Sequence, residues 1–288
     1  MTAVTARGAV PRRGARRRPS ATALRLTVVP LVLAVAVVVL LVVLGALEKD
    51  SIEERELAPA ELGRMVVEHL VLSLVPLVVV CAVAIVLGIL LTRPFTRPLS
   101  PLVLAVCNIG QALPAAGVIA LLALTLGLGF RTAVVAIVVS ALLPLLMNTV
   151  VGLTGVDPLV VESARAVGMR PVQVLLRVEL PLAMPMVWAG VRTTGLFVIS
   201  GATVASLIGA GGLGELIITG LKLQRASITV TGCVLVCVLA FLFDWLCALV
   251  ALPRRRPPTR PHRSPRRTES PRRTESPRRP ESLRRTER

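Results

Sequence analysis

Residues 26–47 read LTVVPLVLAVAVVVLLVVLGAL, 22 residues without a charge. At 1.5 Å of rise per residue a helix of that length reaches ~33 Å, enough to cross the hydrocarbon core of a bilayer. Backbone placed in lipid must satisfy every N–H and C=O internally, so a helix is the natural form for such a run. A cleavable signal peptide would be shorter and would end in an A-x-A site; neither holds here, so the run is expected to stay as a membrane helix. Five further apolar runs follow, at Leu70–Leu91, about Leu102–Leu126, about Thr132–Val150, about Ala183–Ile208 and about Ile228–Leu252. Pro76, Pro114 and Pro144 are expected to interrupt some of them. The fold class that follows is an all-α membrane protein of about six transmembrane helices.

The charge pattern orients these spans. Of the 33 basic residues, seven lie in residues 1–25 and fourteen in residues 254–288. A net charge of +17 can mark nucleic-acid binding, but beside six spans the arginine-rich tails read as cytoplasmic anchors. No nucleic-acid partner is therefore expected. Six spans put both termini in the cytoplasm, which places residues 92–101 and 151–182 inside and the net acidic segment 48–69 outside. On that assignment 26 of the 33 basic residues face the cytoplasm. The organisation read from this is a basic N-terminal tail (1–25), a first transmembrane helix (26–47), an extracytoplasmic loop (48–69), a membrane core (70–252) and a C-terminal tail (253–288). That tail repeats S-P-R-R-T-E with almost no apolar residue, which reads as disordered. A second reading of it is contact with anionic lipid or RNA, with its serines as phosphorylation sites.

Little in the chain suggests chemistry of its own. Cys81, Cys107, Cys233, Cys237 and Cys247 sit in apolar runs without C-x-x-C spacing, as small hydrophobes do. His69 and His262 fall on opposite sides of the membrane, and no G-x-S-x-G or H-E-x-x-H occurs. No phosphate-binding G-x-x-x-x-G-K-[ST] is present, so no cofactor is expected on this chain. The stretch IGAGGLGELI does match G-x-G-x-x-G at Gly209, Gly211 and Gly214. A dinucleotide site needs that pattern between a strand and a helix, with an acid about twenty residues on. Here an apolar span precedes it, so a tight turn at the outer membrane face is expected instead, with Leu213–Leu221 as a short helix.

The cytoplasmic segment VGLTGVDPLVVESARAVGMRPVQVLLRVELPLAMP is the informative one. Asp157 followed by Pro158 is a helix start, a capping carboxylate and then proline at the first helical position. Gly168 is expected to end that helix, Pro171 to open a second and Pro181 to close it. Glu162-Ser163-Ala164, then Gly168, then Val178-Glu179-Leu180-Pro181 resemble the E-A-A, three residues, G, nine residues, I-x-L-P motif of the membrane subunits of binding-protein-dependent ABC importers. Ser163 for alanine and Val178 for isoleucine are the two departures. LLTRP (90–94), NIGQALPAAG (108–117), GVDPLVVESARAVGM (155–169), RVELPLAMPMVWAGVRT (177–193) and GATVASLIGAGGLGELIITGL (201–221) resemble permeases for osmoprotectants. The resemblance spans about residues 65–250.

The resemblance implies a type I, methionine-permease-like importer fold in a bacterial plasma membrane, with the loop 155–181 docking on an ABC ATPase subunit that uses the ATP. Glu162, Ser163, Ala164, Gly168, Leu180 and Pro181 are its coupling residues. The implied cargo is glycine betaine, proline betaine, choline or carnitine; methionine or another amino acid is the alternative. A separate extracytoplasmic binding protein and a second copy or close paralogue complete the assembly. Quaternary ammonium is usually held by aromatic rings, but Phe95, Phe130, Trp188, Phe197, Phe241, Phe243 and Trp245 are scattered in the sequence, so recognition falls to the binding protein. Polar residues within spans are the candidates for a path or gate: Asn108, Gln111, Asn148, Ser200, Thr203 and Ser206, with Gly209, Gly211, Gly212 and Gly214 at the outer mouth. Ser200, Thr203 and Ser206 recur every three and are expected on one helix face. Arg192 is expected to snorkel inward or to pair within the dimer, with a gating role as the alternative. An ion-gradient transporter would need intramembrane acids or an inverted repeat, and Asp244 is the one acid in the spans.

Overall fold

The computed structural model describes residues 21–251, with side chains from Thr27 onward. Residues 1–20 and 252–288, with the cytoplasmic anchoring and the S-P-R-R-T-E repeat read from them, lie outside the described residues, while residues 21–25, read as the end of the N-terminal tail, are helical. All regular structure among the described residues is helical. Five helices are long and apolar enough to cross a membrane, and a sharply bent helix pair supplies a sixth candidate span.

The first helix, α1 (Ala21–Ala46), carries the charge-free run and leaves most of it exposed, as a lipid-facing helix does. A single turn, α2 (Ser51–Glu56), is capped by Asp50 and Glu53 in a capping box. Next comes α3 (Pro59–Leu91), 33 residues without a break. The segment expected as loop 48–69 is therefore helical from Pro59 onward.

The third span departs from expectation. It consists of α4 (Ser100–Ala112) and α5 (Ala115–Leu126), bent by 96° at the break. Pro114 is the cause: the residue before a proline is pushed out of the helical region, and Leu113 is extended at ψ 138°. Pro76 and Pro144, by contrast, do not interrupt their helices, α3 and α6 (Phe130–Thr154). Pro76 is itself buried, and Leu145 and Leu146 beside Pro144 are fully buried, so packing holds both helices through the lost hydrogen bond.

Next, α7 (Pro158–Ala166) and the short α8 (Pro171–Val174) lead into α9 (Leu180–Ala205) through a π-helical segment, Leu175–Glu179. Pro181 thus does not close the second loop helix; helix runs on from Pro171 to Ile208. In the π segment Leu180 N–H donates to the Leu175 carbonyl, five residues back. That shift in pairing absorbs a proline that lacks an N–H of its own. A 3-10 turn (Ser206–Ile208), α10 (Leu213–Lys222) and α11 (Ala226–Val250) complete the described chain.

The main core lies where α3, α6 and α9 meet, with α5 against them. Lipid gives helices no hydrophobic reason to associate, so small residues that permit close packing do the work. Ala84, Ala133, Ala136, Ala183, Ala202 and Ala205 are all buried there. Gly88 lies so close to α6 that a Cβ would meet Thr149 Cγ2 at 2.6 Å. At Gly190 a Cβ would meet Asn148 Cβ at 2.8 Å. A second cluster, Leu40, Leu44, Leu57, Met65, Leu213, Leu216 and Ile228, seats α10 against α1, α3 and α11.

Gly190→Ala is expected to destabilise the fold by about 1–3 kcal/mol, because the backbone of α6 must move to admit the methyl. Gly63→Ala, exposed on α3 with nothing within 4 Å, is expected to be neutral or to stabilise by up to ~1 kcal/mol. Thermal unfolding of both variants in detergent checks the pair; equal transitions would refute the close-packing account.

Candidate functional site

The hairpin of α7 and α8 is built on local chemistry. The Asp157 carboxylate accepts from Leu159 N–H at 2.9 Å and starts α7 behind Pro158. At the other end Met169 N–H donates to the Ala164 carbonyl at 3.2 Å and Gly168 N–H to the Arg165 carbonyl at 2.9 Å. This is a Schellman cap, and it requires the left-handed Gly168, at φ +86°. Ala164 faces inward and is buried, while Glu162, Ser163 and Gly168 are exposed. The Ser163 hydroxyl donates back to the Leu159 carbonyl at 2.7 Å. Leu159 at 70 % and Val167 at 78 % exposure set apolar side chains beside Glu162, on a loop outside the apolar spans. Farther along, Leu180 is half-buried and Pro181 exposed.

Sequence reasoning missed what holds this hairpin. Arg93 Nη2 donates to Glu179 Oε2 at 2.6 Å, across 86 residues. Glu179 is buried, and Arg93 Nε also reaches the Ile89 carbonyl at 3.3 Å. The end of α3 is thereby fastened to the π segment at the root of α9. The signal was present in the LLTRP arginine and in the variable position of the V-E-L-P stretch, but nothing local pairs them.

At the opposite end of α9 the glycine stretch forms a clamped turn. Gly209, Gly211 and Gly212 have φ of +71°, +83° and +80°. Gly214 has a different reason to be glycine: it sits at the start of α10, where a Cβ would collide with the Thr203 carbonyl and the Ser206 hydroxyl. Ser206 Oγ donates to the Gly211 carbonyl at 2.8 Å, and Gly129 N–H donates to the Ile208 carbonyl at 3.0 Å. Gly212 N–H donates to Glu68 Oε2 at 3.2 Å. Arg64 pairs with both Glu61 and Glu68 and so holds the accepting carboxylate. Glu68 belongs to the segment read as an extracytoplasmic loop and was not singled out.

The polar residues within the spans divide into several environments. On α4 Asn108 is exposed and Gln111 half-buried. Asn148 Nδ2 donates to the Pro144 carbonyl at 2.7 Å within its own helix, and Thr203 Oγ1 likewise to Ile199 at 3.2 Å. Ser200, Thr203 and Ser206 do not share one role: Ser206 is buried in the glycine turn, because the chain leaves α-helical geometry at Ala205. Ser200 is exposed and lines two adjoining cavities, of about 690 and 190 Å3. The larger also brings together Trp188, Phe197, Arg192 and Asp244. Arg192 therefore finds its partner within the chain: its Nε pairs with Asp244 Oδ1 and its Nη2 with Oδ2 at 2.6 Å. Close by, Trp188 Nε1 donates to the Cys247 carbonyl at 2.8 Å, a second tie between α9 and α11.

Among the described residues no three His, Cys, Asp or Glu side chains converge as a metal site would require. All five cysteines are unbonded.

This architecture has known counterparts. The chain resembles the inward-facing MetNI methionine ABC transporter, with a TM-score of 0.58 and 24% identity over 66% of this chain and 94% of that one. It is 38% identical to the choline transport system permease protein OpuBB of Bacillus subtilis over 63% of this chain and 83% of that protein. It is also 38% identical to the carnitine transport permease protein OpuCB of Listeria monocytogenes, over 62% of this chain and 81% of that one. With the osmoprotectant import permease protein OsmY of Salmonella typhimurium it shares 33% identity over 69% of this chain and 83% of that one. Residues 84–256 match the family model for the inner membrane component of binding-protein-dependent transport systems, a span that holds the α7–α8 hairpin, α9 and the glycine turn together. The chain belongs to this family of multi-pass inner-membrane permeases, whose ATPase activity resides in a separate subunit.

Proposed function

We propose that this permease carries a quaternary-ammonium compatible solute, such as glycine betaine, choline, carnitine or proline betaine, into a bacterial cell. The observation that carries the coupling part is the hairpin at 155–181. It presents Glu162, Ser163 and Gly168 amid exposed apolar side chains on a base fastened by Arg93 and Glu179. An ABC ATPase subunit docks there and uses the ATP, while this chain binds no cofactor. The substrate part rests on the names of relatives that share about two thirds of this chain's length, the choline and carnitine permeases above among them. Two copies, or one copy and a paralogue, enclose the path, with both termini of each in the cytoplasm. An extracytoplasmic binding protein delivers the solute to the outer mouth, where the glycine turn forms part of the gate.

The likeness in fold to a methionine transporter makes methionine import the second reading. Uptake of labelled glycine betaine, choline, carnitine and methionine by the complete transporter decides between them. Quaternary ammonium compounds are expected to accumulate; accumulation of methionine alone would overturn the substrate assignment.

Two substitutions test the sites. Gly168→Asp has open space around its side chain, so the core folds unchanged. The left-handed backbone at that position is uncommon for a non-glycine residue, and the new carboxylate places a charge on the docking surface. ATP-coupled uptake is expected to fall at least tenfold with normal membrane insertion, and uptake at the native rate would refute the docking role. Replacing Gly211 and Gly212 together by valine forces two positive-φ positions and drives a Cβ onto the His69 backbone at 3.1 Å. Transport is expected to drop while co-purification of the ATPase subunit persists; loss of that co-purification would place the defect elsewhere.

A further inference from the structure

Arg192 is the thirteenth residue of the 26 in α9, ~18 Å from Leu180 along the helix, and its partner Asp244 lies within α11, six residues before Val250, so both charges fall inside apolar spans. A charge pair at that depth is expensive in lipid and marks a water-filled or ligand-bearing cavity. This one is open: the Arg192 side chain is 43% exposed and that of Asp244 28%. It lines a groove of about 690 Å3, within the range of ~300–1,000 Å3 usual for small-molecule sites. Trp188 and Phe197 line the same groove, and Phe197 and Ser200 continue into the adjoining cavity beneath Ser140 and Val204.

The chemistry of these groups selects a class of occupant. The ion pair uses Arg192 Nε and one hydrogen of Nη2. The Nη1 group and the second Nη2 hydrogen form the end of the fork, the edge that takes a carboxylate in bidentate fashion. Asp244 beside aromatic rings suits a cation that cannot donate a hydrogen bond, since ring faces attract quaternary ammonium. The pair is neutral as a whole, so a solute carrying both charges enters without leaving a net charge in the membrane.

Resting on the importer reading above, we propose that Arg192, Asp244, Trp188 and Phe197 form an intramembrane transit site for a zwitterion, with the solute carboxylate on Arg192 and its quaternary ammonium between Asp244 and the rings. A cation without a carboxylate, such as choline, uses half of this site.

The test compares glycine betaine with choline in proteoliposomes holding the full transporter: this chain, its ATPase subunit and its binding protein. With Arg192→Gln, glycine betaine uptake is expected to fall at least tenfold and choline uptake less than threefold. Arg192→Lys keeps the charge beside Asp244 but not the fork, so it is expected to assemble normally and still lose glycine betaine uptake. The exchange R192D together with D244R restores an ion pair between the helices but reverses its polarity, and is expected to recover thermal stability without recovering uptake. Recovery of glycine betaine uptake by the exchange, or an equal loss of both solutes in Arg192→Gln, overturns the site and leaves the importer reading standing. A wild-type transporter that carries choline but not glycine betaine also overturns the site alone. One that carries neither overturns the importer reading itself.

Discussion

The close approach of α3, α6 and α9 is the contact on which the rest of the molecule depends. In lipid, apolar side chains gain nothing by leaving one apolar neighbour for another, so stability comes from fit. Gly88 against Thr149 and Gly190 against Asn148 let the helix backbones meet, and a stripe of buried alanines fills the seams. Only with that frame in place can the chain carry irregular backbone at membrane depth, because the polar groups that leave helix pairing must find protein partners. The glycine turn shows this dependence. Its amide at Gly212 is met by Glu68 from α3, and its carbonyl at Gly211 by Ser206 from the end of α9.

Much of this was legible in the sequence, and what was not has a physical reason. Charge-free runs report helices in a membrane because length and apolarity are the whole requirement. Asp157–Pro158 and Gly168 report the ends of α7 because capping is local chemistry. Three prolines in apolar runs looked alike, yet only Pro114 breaks its helix. Pro76 and the neighbours of Pro144 are buried in the frame, whereas α4 contains no buried residue and cannot resist the bend. The period of three in Ser200, Thr203 and Ser206 was real but ended at Ala205, where a turn set by distant contacts takes over. Pairs such as Arg93–Glu179, Arg192–Asp244 and Glu68–Gly212 join residues 86, 52 and 144 positions apart. No local pattern marks such pairs; the frame creates them.

The hairpin shows how local and global constraints divide the labour. Its shape comes from its own caps, and its attachment from one ion pair with the Glu179 side chain only 12% exposed. A charge that buried is tolerated only with its partner, so removing either member leaves an uncompensated ion. The attachment point is also the π segment, where pairing five residues back replaces the regular ladder. Such a segment is a place where a helix is wound differently without being broken. The loop is thus stiff in itself and fastened at the point where α9 is least regular.

All three candidate regions meet on α9. Its start is the root of the hairpin, its middle carries Arg192 in an open groove, and its end runs into the glycine turn held by Glu68. A continuous helix transmits displacement along its axis because its hydrogen bonds and packed neighbours leave it no other way to yield. The contacts at its two ends differ in kind, an ion pair at the root and single hydrogen bonds to backbone amides and carbonyls at the turn. Between them, Arg192–Asp244 and Trp188–Cys247 tie α9 to α11, which also packs beneath α10. The hairpin and the glycine turn are therefore joined by two routes, directly along α9 and through α11 and α10. The groove with the open ion pair lies where those two routes are joined.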